Sequence, residues 1–291
     1  MTKKQDEETT IYDRALGSLL GLHAGDSLGA TVEFLPAQEI RARYPAGVRD
    51  IVGGGPFGWE AGEPTDDTQM ALCILRSCVA LGDINCEDIA ERFLAWMDSA
   101  PKDIGNQTAA TLTAIQRGAR WDEAGFAYLQ NHPNAAGNGS LMRTASVGVV
   151  AALWGWDETR TIEAAREVSA ITHAHESCQS LCAQCSLLIR DLVLGKAVPI
   201  PAPPADPSEI DRDGWVVGAW RAALFSLAQT SALEDAVMHA VNAGGDTDTI
   251  AAVVGSIAGA QRGSHAIPSR WREKLLAGDE IVDLLRTDRL R

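Results

Sequence analysis

Apolar residues recur along this chain at every third or fourth position, almost from end to end, while strict alternation of apolar and polar residues is nearly absent. The first pattern is one face of an α-helix; the second would have been a strand. Tyr12–His23 carries Leu16, Leu19 and Leu20, and 68–80 carries Met70, Leu72, Ile74 and Leu75. Asn85 is placed to cap a helix running to Met97, with Asp88 three residues on as a capping-box variant. The same period marks 108–117, 141–154, 158–171, 176–194, 216–228, 233–243 and 249–261, and shorter helices are expected over 269–276 and 279–286. Many of these segments are rich in Ala and Gly, which lets helix backbones approach closely. The expected fold is all-α: one compact domain of more than ten helices.

At 291 residues, 46 % of them apolar and 22 % charged, the chain can bury a substantial core without disulfides or structural metals. It has 39 acidic and 25 basic residues, a net charge of −14. That balance disfavours phosphate backbones and anionic membranes, and a locally acidic site suits hard divalent cations. No apolar run is long enough for a transmembrane helix, and 1–10 reads as a polar tail without the apolar centre of a secretory signal. There are six cysteines, three of them crowded at Cys178, Cys182 and Cys185, which suits a reducing cytoplasm better than a secreted disulfide framework. Residues 11–291 read as the folded domain. Within it, 198–213 holds Pro199, Pro201, Pro203, Pro204 and Pro207 and cannot be a regular helix. The helices on either side look alike, so it is expected as a surface loop rather than a linker.

Two segments carry more negative charge than a helix start requires. Pro64-Thr65-Asp66-Asp67-Thr68 and Gly244-Gly245-Asp246-Thr247-Asp248-Thr249 each crowd carboxylates and hydroxyls before an Ala-rich helix. One aspartate would cap the free backbone N–H groups and satisfy the helix dipole. Two per segment, with flanking threonines, call for a partner, and oxygen ligands of this kind suit Mg²⁺ or Mn²⁺. If the two helix starts converge, their oxygens can hold a pair of ions.

Other segments are open to two readings. Gly25-Asp26-Ser27-Leu28-Gly29 follows the first helix, and Asp26 there is a routine helix-end residue. Glu33, between Val32 and Phe34, is either a half-buried carboxyl tuned for acid–base work or an exposed glutamate. Gly137-Asn138-Gly139-Ser140, before Leu141-Met142-Arg143, and Gly105-Asn106, before Thr108, are either phosphate-cradling helix openings or plain turns with caps. His173 and His175 are either ligand contacts or part of a helix connection. Cys178, Cys182 and Cys185 have the spacing of an iron–sulfur motif but fall at i, i+4 and i+7 of an apolar helical face, where cysteine packs as a small hydrophobe.

Together these segments resemble the ADP-ribosylglycohydrolase family, whose bacterial members include the enzyme that removes ADP-ribose from dinitrogenase reductase. The carriers, in order, are GSLLGLHAGDSLGATVEF, PTDDTQMAL, DIGNQT, GNGSLMRTASVG, THAHES and GGDTDTIAAVVGSIAGA, spanning about 15 to 263. The resemblance implies helices around a cleft with two divalent cations, Mg²⁺ or Mn²⁺, held by Thr65, Asp66, Asp67, Asp246, Asp248 and Thr249, with Asp248 as bridge. It implies Glu33 and Asp66 as acid–base groups, and Gly105, Asn106, Asn138, Gly139, Ser140 and Met142 as the lining of an ADP-ribose cleft, with His173 facing the distal ribose or phosphate. The implied reaction is hydrolysis of ADP-ribose from a modified protein, with arginine as the acceptor. The alternatives are a serine or small-molecule conjugate, or a non-catalytic relative that only binds ADP-ribose. No aromatic residue is singled out for adenine.

Overall fold

The described residues, 3–206, 210–287 and 290, of the computed structural model form fourteen α-helices and a 3₁₀ turn at Ser264–Ala266, joined by loops with only isolated β-bridges. The first half holds α1 (Lys3–Gly29), α2 (Ala37–Arg43), α3 (Asp66–Leu81), α4 (Cys86–Asp98), α5 (Asn106–Gln116), α6 (Trp121–Asn131) and α7 (Ala145–Leu153). The second holds α8 (Glu158–Ala170), α9 (Glu176–Val193), α10 (Val216–Gln229), α11 (Leu233–Asn242), α12 (Thr247–Arg262), α13 (Ser269–Arg272) and α14 (Gly278–Leu285). Their buried apolar side chains join into one cluster that runs from Ala15 to Leu290. Among the described residues, no helix is long and apolar enough to cross a membrane.

The centre of the molecule is the antiparallel contact of α1 with α12. Gly17, Gly21, Gly25 and Gly29 lie every four residues on α1, so they share one stripe of the helix surface. They face Gly259, Gly255, Ala251 and Thr247 of α12 in that order, backbone against backbone. A Cβ placed on Gly21 would sit 2.2 Å from the Gly255 carbonyl oxygen, and one on Gly25 would sit 2.0 Å from that of Ala251. Side chains of any size would force the helices apart. The ends are pinned by polar groups. Asp13 accepts from the Ser264 hydroxyl at 2.6 Å, and the Thr247 hydroxyl donates to the Gly29 carbonyl at 2.8 Å.

Most expected helices are present with shifted ends. Asn85 caps α4 by accepting from the Asp88 N–H at 3.0 Å. Asp88 does not return the bond; its carboxylate pairs with Arg92 at 2.6 Å. The segment expected as a polar tail is helical from Lys3, because α1 continues through residues of good helix propensity, and residues 1 and 2 lie outside the described residues. Residues 141–144 are turns rather than the start of α7, with i to i+3 bonds such as Thr144 N–H to the Leu141 carbonyl at 3.2 Å. The expected 269–276 helix stops at Arg272. Two helices give no clear periodic signal. α2 is seven residues long with one buried residue, Ile40, and α6 buries only Ala124 and Gly125.

Cys178, Cys182 and Cys185 lie buried along α9. Cys178 donates its thiol to the Gly137 carbonyl and Cys182 to the Ser140 hydroxyl, each at 3.3 Å, and burial pushes all three thiols up. They pack and are not poised to react. The proline-rich stretch is a loop, with Pro207 outside the described residues, but its far end is not surface alone. The Arg212 carbonyl accepts from the Asp246 N–H at 2.7 Å, and the Gly214 carbonyl from the Asn138 N–H at 3.0 Å.

The glycine stripe gives a direct test. Gly21→Ala gains roughly 0.5–1 kcal/mol of helix propensity but overpacks against a backbone that cannot give way, at about 1–3 kcal/mol. The expected result is a net loss of about 1–2 kcal/mol in urea unfolding. Unchanged or increased stability would contradict the close contact.

Candidate active site

The α1–α12 contact delivers both acidic segments to one place. At the start of α3, the Thr65 hydroxyl accepts from the Asp67 N–H at 3.3 Å. Asp26, from the last turn of α1, accepts from the Thr65 N–H at 3.1 Å, from the Thr68 N–H at 3.3 Å and from the Thr68 hydroxyl. Asp26 is therefore no routine helix-end residue. It caps α3 from another helix, which leaves the Asp66 and Asp67 carboxylates unused for capping. At the start of α12, Asp246 occupies the cap position without making a side-chain cap bond, and its Oδ2 accepts instead from the Asn138 amide at 2.7 Å. Thr249 reaches Asp67 Oδ2 at 3.5 Å, so the two segments touch although 182 residues separate these partners.

Glu33 follows α1 and is buried. Its neighbour Phe34 holds a φ of 62°, a left-handed conformation unusual for a bulky residue, and keeps a side chain 61 % exposed at the rim. Two backbone bonds impose this conformation: Phe34 N–H to the Gly245 carbonyl at 2.9 Å and Gly245 N–H to the Leu35 carbonyl at 3.0 Å. Gly245 itself has a φ of 88° and would place a Cβ 2.2 Å from the Arg212 carbonyl oxygen, so only glycine fits there.

These groups line one cavity of about 430 Å³, a size ordinary for small-molecule sites. Glu33, Asp66, Asp67, Asp246, Asp248 and Thr249 form its acidic part, joined by Asp103. Gly105, Asn106, Asn138, Gly139, Met142 and His173 line the rest. Two expected site residues do not line it. Thr65 is buried beneath as the α3 cap, and the Ser140 hydroxyl is engaged by Ser169 at 2.9 Å and by Cys182. Of the two histidines, His175 is the N-cap of α9, accepting from the Ser177 N–H at 3.1 Å. Asp26, Asp103 and Phe34 were missed. Asp103 lies inside DIGNQT and was legible as one more acid beside a glycine opening. Asp26 and Phe34 act through partners distant in the chain, so local pattern carried no signal for them.

The acidic part is electrostatically unbalanced. Burial and then Asp246, Asp103, Asp66 and Asp26 push the Glu33 carboxyl up to about 9. Asp66, Asp67 and Asp248 are raised well above the carboxylate range, by burial first and neighbouring carboxylates second. Asp26 is raised to about 6 by burial, despite its hydrogen bonds. Glu33 Oε2, Asp67 Oδ1 and Asp248 Oδ1 are buried without a hydrogen-bond partner among the described residues. Buried acceptors without donors are the mark of a place for cations, and the donor set, all oxygen, fits hard divalent ions. Among the described residues, no three His, Cys, Asp or Glu side chains converge closely enough to ligate an ion as they stand. The carboxyl groups ring the cavity instead. At the other part, burial and then the charge of Arg143 lower His173 to about 3, so its ring is neutral.

A model of the ADP-ribosylglycohydrolase family matches residues 7–205 and 189–291. The chain belongs to the ADP-ribosylglycohydrolase family. It is similar to the ADP-ribosyl-[dinitrogen reductase] glycohydrolase of Rhodospirillum rubrum, at 33 % identity over 91 % of each chain. It is also similar to the ADP-ribosylarginine hydrolase Tri1 of Serratia proteamaculans, at 30 % identity over 95 % of this chain and 79 % of that one. A solved ADP-ribosylglycohydrolase-related protein complex superposes with a TM-score of 0.75 and 31 % identity, covering 95 % of this chain and 97 % of its own. As a member of this family the chain is an ADP-ribosyl glycohydrolase, a hydrolase of ADP-ribose linkages.

The crowded carboxyls set a pH dependence. Glu33 is protonated in the fold below about 9 but ionises near 4.5 in the unfolded chain. The folded state then binds more protons, so the stability Glu33 contributes at low pH is lost as pH rises from 4.5 through about 9. His23, lowered to about 4 by burial, and His173 are neutral in both states above 6.5 and add nothing there. For protein stripped of divalent cations by a chelator, the melting temperature is expected to fall from about pH 7 to about pH 9. A flat profile across that window would mean the carboxyls do not repel one another.

Proposed function

We propose that this chain hydrolyses the bond between ADP-ribose and an arginine side chain of a modified protein, the alternative acceptor being a serine or a small molecule. The observation that carries this reading is the division of one cavity into an acidic part and a part lined by Gly105, Gly139, Asn138 and a neutral His173. The anionic diphosphate suits backbone N–H groups and a neutral imidazole, away from the carboxylates, while a cationic guanidinium is drawn to the acids. The two named relatives, one of them an ADP-ribosylarginine hydrolase, support arginine as the acceptor. The free cysteines fit a cytoplasmic setting, and 11–291 acts as one domain in this reading.

Two divalent cations, Mg²⁺ or Mn²⁺, would be held by Asp66, Asp67, Asp246, Asp248 and Thr249, with Thr65 beneath them holding the start of α3. When bound they supply positive charge that orients ribose hydroxyls and makes a water more acidic. The chain's own residues do the rest. The ribose–nitrogen bond breaks, the water oxygen bonds to the anomeric carbon, and one water proton ends on the leaving nitrogen. Glu33 and Asp66, both on the cavity wall, hold and move that proton; Glu33 Oε2 has no partner among the described residues. Asn138 steadies Asp246, Asp26 steadies the start of α3, and Phe34 narrows the entrance beside Glu33.

Release of free ADP-ribose from arginine-linked and serine-linked substrates, with and without Mg²⁺ or Mn²⁺, tests the reading. Arginine-linked substrate should be cleaved only with metal, and metal should raise the melting temperature by binding the folded state. Tight ADP-ribose binding with no turnover under any condition would point to a non-catalytic relative. Glu33→Gln should slow turnover at least about tenfold while ADP-ribose still binds; wild-type turnover would remove Glu33 from the chemistry. Asp248→Asn should weaken the metal-induced stabilisation. Two ions held with wild-type affinity in that variant would remove Asp248 from the metal site.

A further inference from the structure

Arg143 is fully buried, and among the described residues no carboxylate pairs with it. Burying a guanidinium without a counter-charge is expensive, so the charge needs another reason to be there. Its guanidinium lies 4.5 Å from the Phe93 ring centre, and Nη1 lies 3.5 Å from the Met70 sulfur. Among the described residues its oxygen partner is the Thr172 hydroxyl, to which Nη2 donates at 2.8 Å.

That bond orients the next one. The Thr172 hydroxyl already accepts from Arg143, and among the described residues its other hydrogen-bond partner is His173 Nδ1, at 2.8 Å. Its single proton therefore goes to Nδ1, which must be the unprotonated nitrogen of the ring. A neutral imidazole with a bare Nδ1 carries its proton on Nε2. That atom lies against the glycine turn: a Cβ on Gly137 or Gly139 would come within 3.3 Å or 3.2 Å of it. His173 lines the cavity, and Nε2 makes no hydrogen bond among the described residues. The opposite tautomer would bury the Thr172 proton without an acceptor and offer the cavity a lone pair, which repels the acceptor-only oxygens of a diphosphate.

We propose that Arg143, acting through Thr172, is a positioning residue that holds His173 as a neutral imidazole donating from Nε2 into the cavity, towards an acceptor oxygen of ADP-ribose. The inference rests on reading the cavity as an ADP-ribose site. The neutral donor grips oxygen by direction rather than by charge. The glycines at 137 and 139 leave the ring room to do so.

The test is a long-range proton–nitrogen NMR correlation on the full chain with labelled histidine rings. The chain has six histidines, and loss of one signal set in His173→Asn assigns the one of interest. Wild-type protein should show His173 with its proton on Nε2. Thr172→Val removes the hydroxyl at nearly constant shape. It should shift the ring towards the other tautomer and weaken ADP-ribose affinity about tenfold, the worth of one hydrogen bond. KM for an ADP-ribosylated substrate should rise more than kcat falls, and Thr172→Ser should restore both tautomer and affinity. A wild-type His173 protonated on Nδ1 overturns the proposal, and so does a Thr172→Val protein with wild-type tautomer and affinity. Should Thr172→Val not fold, the wild-type spectrum decides. The spectrum and the ADP-ribose titration need no turnover, so failure of the hydrolase reading shows separately, in the release assay.

Discussion

The glycine-on-glycine contact between α1 and α12 is the constraint from which the site follows. With Gly21 and Gly255 backbone to backbone, neither helix can slide or rotate without a clash, so the register of one against the other is set. The last turn of α1 then lies beside the first turn of α12. Asp26 and Glu33 come from the first of these regions and Asp246 and Asp248 from the second. α3 joins because Asp26 holds its first backbone N–H groups. The acidic residues are thus assembled by backbone packing and capping, and not by any attraction among themselves.

That separation of tasks resolves an energetic problem. Carboxylates gathered at this spacing repel, as the raised Glu33, Asp66, Asp67 and Asp248 record. A marginally stable fold can tolerate such a cluster only if its geometry is paid for elsewhere. Here the offset comes from a core that runs through the whole chain and from α12, whose side chains are buried along nearly its full length. Glycine turns do the fine placement. Gly245 pairs with Phe34 and Leu35 and holds Glu33 at the wall, while the Arg212 carbonyl fixes the backbone of Asp246.

The non-acidic part of the cavity is built by a different device. Cys178 and Cys182 bind the underside of the glycine turn through weak thiol donors, and Ser140 turns away from the cavity to join them. Arg143 and Thr172 support His173 from behind. The cysteine triplet that looks in sequence like a cluster motif is therefore packing material under a binding surface. Burial keeps its thiols protonated and unreactive.

Local pattern was enough for the helical class, for most helix positions and for the two acidic segments, because helical period, caps and clustered carboxylates are written in neighbouring residues. It was not enough for α2 or α6, which are too short or too little buried to leave a periodic trace. Nor did it reveal Asp26 as a cap for α3, the rim position of Phe34, or the turning of Ser140 out of the cavity. Those depend on partners 39, 211 and 29 residues away, as the bonds to Thr65, Gly245 and Ser169 show. An aspartate at a helix end looks the same in sequence whether it faces solvent or holds another helix. What separates the two is the close approach of α1 and α12, a property of paired backbones that no single segment contains.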